Sequence, residues 1–134
     1  MERTLSVLSD VKNLGEFIDG ASLERARLLP GVGQMSLELE LTRACPELAT
    51  VVRRGFVART KTPWVKSRLT LRRITGVAVQ RTADAAASQP LLACEAVPGG
   101  YRAVVTAHDG LELTVTLEQL DGQFTDVGTP VESP

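Results

Sequence analysis

Aromatic side chains are scarce in this chain of 134 residues: Phe17, Phe56, Trp64, Tyr101 and Phe124 are all it has. The core must therefore be built from Leu, Val, Ala and Ile. Histidine occurs once, at His108, which leaves no material for a His-rich metal site or for a His pair that shuttles protons. Cysteine occurs twice, at Cys45 and Cys94, without CxxC spacing; they read as two small buried thiols, with a single disulfide as the alternative. No apolar run approaches the roughly 20 residues that span a bilayer. The opening ten residues lack both the basic stretch and the continuous apolar core of a signal peptide. A soluble cytoplasmic protein is the expectation.

Acids are missing from one region in particular. From Arg43 to Arg81 there are ten basic residues against one acid, Glu47, and from Arg53 to Arg73 eight cations and no acid at all. Residues 1–42 sum to −3, residues 43–81 to +9 and residues 82–134 to −7, so the net charge of −1 hides a basic middle between acidic flanks. Surface of this kind is either neutralised by the protein's own acids or presented to an anionic partner. The sequence pI near 5.8 argues against a bulk nucleic-acid binder, which is usually basic overall.

What is present is the patterning of a small β-rich domain, long enough to bury roughly two-thirds of its unfolded surface. Leu5, Leu8, Val11 and Leu14 recur at steps of three, which predicts a short helix over Thr4–Leu14 with Gly15 at its end. Ala21–Leu29 and the alternating Met35, Leu37, Leu39 and Leu41 predict a hairpin around Pro30–Gly33. In Arg43–Pro63 the pattern fails: either Pro46 opens a short helix over Glu47–Arg53, or the segment is an irregular crossing loop ending at Gly55. Val65–Arg73 and Gly76–Arg81 are strand again, with a bulge or bend near Arg73-Ile74. Ala83–Gln89 reads as loop. The last third alternates cleanly over Leu91–Val97, Tyr101–Ala107, Leu111–Leu120 and Gln123–Val127, and Asp121-Gly122 between the last two is a hairpin signal. The expected fold is mainly β (α+β), a single domain over residues 1–128. It is an antiparallel meander of about seven to nine strands, curled or two-layered, with a short N-terminal helix and a disordered tail over 129–134.

Few residue groupings carry chemistry. No Gly-x-Ser-x-Gly elbow, phosphate loop, dinucleotide fingerprint or paired-carboxylate cluster is present, and neither cysteine has a histidine close in sequence. No catalytic residue, cofactor or metal is expected. His108, before Asp109-Gly110, is a solvated turn residue sooner than a lone general base, and Asp19-Gly20 a turn sooner than a ligand site. The candidate site is the basic segment: Arg53, Arg54, Arg59, Lys61, Trp64, Lys66, Arg68, Arg72 and Arg73, with Phe56 interleaved. Cations beside exposed aromatics suit phosphates and bases. The competing reading is internal: Arg68 and Arg72, on the outer face of a strand, opposite Glu38, Glu40, Glu112 or Glu118 of its neighbours. In that case Arg53–Lys66 is the part left unpaired.

Phe17-Ile18-Asp19-Gly20-Ala21, then Leu37–Leu41, Leu69–Val77, Gly100–Val104 and Asp109–Leu113, together resemble small β-rich bacterial domains of mostly unknown function. Those domains begin with a Phe-His-Asp-(Ala/Gly)-like opening, and some look like immunity proteins of toxin systems. Ile18 stands where that opening often has His, and no catalytic residue carries over. The resemblance, over about residues 14–127, implies an immunity-like, non-catalytic interaction module that binds a protein partner or itself. The edge strands of an open sheet make a homodimer the expected self-association, and no membrane partner is expected. A polyanion or nucleic-acid binder using residues 53–73 is the alternative.

Overall fold

The computed structural model describes residues 2–30, 34–45, 47, 49–81, 91–107 and 110–131, and at 52, 54 and 59 the backbone alone. In chain order they form β1 (Glu2–Leu5), α1 (Leu8–Phe17), β2 (Ser22–Pro30), β3 (Met35–Ala44), β4 (Thr50–Arg54) and β5 (Val57–Lys61). There follow β6 (Trp64–Arg81), β7 (Leu92–Val97), β8 (Gly100–Thr106), β9 (Leu111–Leu117) and β10 (Gly122–Val131). Eight of the strands make one antiparallel sheet curled into a half-barrel, and β4 and β5 pair only with each other.

Alternation places the core. In β3, Leu37, Leu39 and Leu41 are buried while Ser36, Glu38 and Glu40 are partly exposed, as a two-residue period dictates for a strand with one covered face. Leu69 and Leu71 of β6, Val105 of β8, Val115 and Leu117 of β9 and Phe124 of β10 join them. Each such side chain contributes about 1.5–3 kcal/mol by leaving water.

The 18-residue β6 organises the sheet. Its first half lies between β3 and β10, with Leu69 opposite both Leu39 and Phe124. Its second half pairs with β9, Val77 opposite Val115. Between them the strand bends, with register shifts on both sides of Ile74 and Arg73 at φ 60. The expected bulge near Arg73-Ile74 is thus present.

Several boundaries differ from the sequence reading. Leu5 belongs to β1, which pairs with β10, so the helix does not span Thr4–Leu14. Its start is set by Asp10, whose carboxylate accepts the N–H groups of Ser6 (3.0 Å) and Val7 (3.2 Å) and so holds donors that a helix N-terminus leaves unpaired. Asp121-Gly122 does not close a hairpin. β9 and β10 both run antiparallel to β6 along the same edge, β9 beside Ile74–Arg81 and β10 beside Trp64–Leu71. The consecutive hairpins therefore stop at β7-β8-β9. β10 also continues through Thr129–Val131, into the stretch read as tail, with Val131 opposite Trp64. The expected turn around 31–33, Pro46, residue 48, the whole of 82–90 with the expected Ala83–Gln89 loop, His108 and Asp109, and residues 132–134 lie outside the described residues.

Gly15 does not end α1 but lies inside it, where the helix meets β7. A Cβ built there would sit 2.8 Å from the Leu92 carbonyl oxygen, and a backbone atom of a sheet cannot swing aside. Gly15→Ala should therefore lose roughly 1–2 kcal/mol in urea unfolding, even though Ala is the better helix former by about 1 kcal/mol. A stabilised variant would show that α1 does not bear on β7 so closely.

Candidate functional site: the basic segment and its projecting arm

Three of the eight cations from Arg53 to Arg73 are held by acids of the same fold: Arg68, Arg72 and Arg73. On β6, Arg68 lies opposite Glu40 in register and 3.5 Å from a Glu38 oxygen, and Arg27 of β2 hydrogen-bonds to the same Glu38. The Arg27 hydrogen bond outweighs burial and keeps the Glu38 carboxyl below the usual range. Arg72 pairs with Asp121 at 3.1 Å and also donates to Gln123 (3.3 Å). Arg73 reaches Asp121 at 3.3 Å and Gln119 at 2.8 Å. The expected pairing with Glu38 and Glu40 is present for Arg68. The pairing of Arg72 with Glu112 or Glu118 is not, because the bend turns Arg72 toward the β9–β10 corner, while Glu112 faces Gln80 and Thr106. Lys66 is exposed on β6 between Thr42 and Val127, and Trp64 is half-buried at the start of that strand.

Arg53, Arg54, Arg59 and Lys61 are placed quite differently. Where a short helix or an irregular loop was expected, the chain forms the β4–β5 hairpin, with pairs running from Thr50–Lys61 to Arg54–Val57. The local chemistry accounts for it. β-Branched Val51, Val52 and Val57 favour extended backbone, and Gly55 takes φ +61 at the first position of the two-residue Gly55-Phe56 turn, which suits tight hairpins. β3 ends at Ala44 opposite Trp64, and the Cys45 N–H donates to the Pro63 carbonyl at 2.7 Å. That bond pins the base from which the hairpin leaves the body.

Beyond its base the hairpin is an arm. Among the described residues neither strand packs against any other strand or helix. Val51, Arg53 and Val57 are exposed, and Phe56 at the tip is wholly exposed. Phe56 is the functional candidate that the sequence reading left out of its site. Its signal was the Gly-aromatic pair between two short Val- and Arg-bearing runs, which only a hairpin assignment makes visible.

The remaining chemistry-bearing groups are modest. Cys45 is buried and Cys94 half-buried, both as free thiols, and burial pushes both thiols up. A shallow groove on the outer face of β7–β9 brings Cys94 near Glu95, Arg102 and Glu112, but Arg102 hydrogen-bonds to Glu95. Among the described residues no group of three or more His, Cys, Asp or Glu has the geometry of a metal site, and no helix is long and apolar enough to cross a membrane. Asp19 lies in a turn, its N–H donating to the Glu16 carbonyl with Gly20 following at φ +83. No protein-family model matches the chain, and neither a curated protein nor a solved structure does.

One cation of the segment is structural in the strictest sense. Arg43, 2 % exposed at the end of β3, donates to Asp126 of β10 through Nε (3.0 Å) and Nη2 (2.7 Å), to Glu47 (3.0 Å) and to its neighbour's carbonyl. Its guanidinium also lies 4.6 Å from the Phe17 ring centroid. Burial raises the Asp126 carboxyl, but the hydrogen bonds from Arg43 and Ser67 outweigh it and leave the group below the usual range; Glu47 is likewise lowered against burial. A carboxyl lowered by folding contributes stability that is fully present above its unfolded value and disappears as the pH falls through its folded one. Asp126→Asn should cost about 3 kcal/mol at neutral pH by leaving a buried guanidinium short of its partner. It should also flatten the loss of stability on the acid side. Urea unfolding from neutral to acid pH checks both, and an unchanged acid limb would remove Asp126 from this role.

Proposed function

We propose that the chain is a small non-catalytic binding module whose working surface is the β4–β5 arm and whose partner is anionic. The observation that carries this reading is the arm itself. A wholly exposed aromatic stands at the tip of a ribbon that, among the described residues, packs against no other strand or helix and that bears four cations and no acid from Thr50 to Lys61. A two-stranded hairpin alone in water is marginally stable, and exposed Val and Phe on it gain nothing from the protein's own core. Aromatic and arginine side chains are the residues that most often anchor interfaces. Arg68, Arg72 and Arg73 of β6 are occupied by Glu38 and Asp121, so they serve the fold. The resemblance to immunity-like domains is of the same kind, since such proteins act by occupying a surface of another macromolecule.

The arm is an excursion between two strands already paired at its base, so it can be removed. Replacing residues 48–61 by a short Gly-Ser turn should leave the urea unfolding free energy within about 0.5 kcal/mol. The full chain should be retained on a phosphate matrix at low salt and the shortened chain should pass through it. A full chain that is not retained, or retention that survives the deletion, would remove the arm as the working surface.

A further inference from the structure

We infer that the anionic partner is the major groove of duplex DNA, entered tip-first by the arm; this rests on the binding-module reading above. The first argument is size. A two-stranded ribbon has its strands about 4.8 Å apart, and the B-DNA major groove, about 12 Å wide, admits one. The second is the distribution of charge. The register alternates residues between the two faces of the ribbon, so that position 53 shares one face with Val51, Ala58 and Thr60, and positions 54, 59 and 61 share the other. Both faces thus carry cations, which suits a cleft with phosphates on both walls. A flat anionic surface would meet only one of them.

Depth gives the third argument. The pairs 54–57, 53–58 and 52–59 are the first three rungs behind the tip, which at about 3.3 Å per rung puts three arginines within about 10 Å of Phe56. The groove is about 8.5 Å deep. With Phe56 against the base edges, where a thymine methyl offers an apolar contact, the rungs at positions 53, 54 and 59 come level with the phosphates. A bilayer fits less well, because the exposed Arg53 lies only two rungs behind the tip, and sinking the tip past Phe56 would carry its guanidinium into hydrocarbon. A-form RNA is disfavoured by its deep, narrow major groove.

The rest of the molecule limits the contact to the arm. The chain sums to −1 and residues 50–61 to +4, which leaves −5 on the body. No more than four phosphates should be neutralised, so the slope of log K against log salt should not exceed about 3.6, a loss of roughly 100-fold over a fourfold rise in salt.

Fluorescence anisotropy of a labelled DNA duplex of about 20 base pairs, titrated with the full chain over a salt series, tests this. The matching RNA duplex, polyglutamate and phosphatidylserine vesicles serve as parallel probes. The expected result is saturable binding tightest to DNA, weakened roughly tenfold by Phe56→Ala at unchanged slope, with Arg53→Ala lowering the slope by about 1. Equal or tighter arm-dependent binding to RNA, polyglutamate or vesicles would overturn the DNA assignment and leave the binding module standing. A slope well above 4 would also overturn it, since contacts would then extend beyond the arm. Absence of arm-dependent binding to every probe would overturn both.

Discussion

One strand is shared by both halves of the half-barrel, and its bend sets the position of nearly everything else. β6 must carry its apolar face through the change of edge partner from β10 to β9. A strand's faces alternate strictly, so a single extra residue would turn the second half inside out. The chain inserts two. One falls between Leu71 and Ile74, where β3 spends two residues from Leu37 to Met35. The other falls between Ile74 and Gly76, where β9 spends one, from Leu117 to Thr116. The two shifts cancel: Ile74 stays in the core, Val77 packs against it, and Val79, though exposed near the strand's end, keeps the face of its β9 partner Leu113. Arg73 at φ 60 is the local cost, of order 1–2 kcal/mol for a side-chain-bearing residue in that region.

The charge sorting follows from this geometry. The bend is held by the β9–β10 corner: Asp121 accepts the Arg72 N–H through its own carbonyl at 2.7 Å, and its carboxylate binds the Arg72 and Arg73 guanidinium groups. Arg68 faces the glutamates of β3, and Arg43 ties the end of β3 to β10. Arg68, Arg72 and Arg73 of β6 are neutralised because β6 is the middle of the sheet, with acid-bearing strands on either side of it. Once those pairs are assigned, the only run of the basic segment that stands away from the body is the arm.

How much of this was legible depended on whether the information was local. The alternations of Met35–Leu41 and Leu111–Leu117 name their own strands and inner faces, and the slip at Ile74 names its own bend. Asp121-Gly122 misled because a turn dipeptide reports only that the chain can deviate there; that β10 continues along β6, where a Gly122 Cβ would lie 3.0 Å from the Thr70 carbonyl, is a property of the partner strand. The helix start was hidden in the same way, since Leu5 fits a helical stripe and a strand equally well until β10 claims it. Arg43 looked like one more surface cation, and nothing within a few residues of it announces Asp126, 83 positions away. The arm was missed because five-residue strands are too short for periodicity to decide between helix, strand and loop.

The arm also explains how a chain with a pI of 5.8 can present a basic surface at all. Cations spread over the body would be neutralised by its surplus acids, whereas a ribbon about 16 Å long carries its charge farther out than the screening length of about 8–10 Å in physiological salt. At that distance the body's −5 is largely screened from a partner held at the tip, yet it still opposes closer approach. Length and acidity therefore act together: the first lets the arm bind an anion, and the second keeps everything except the arm from doing so.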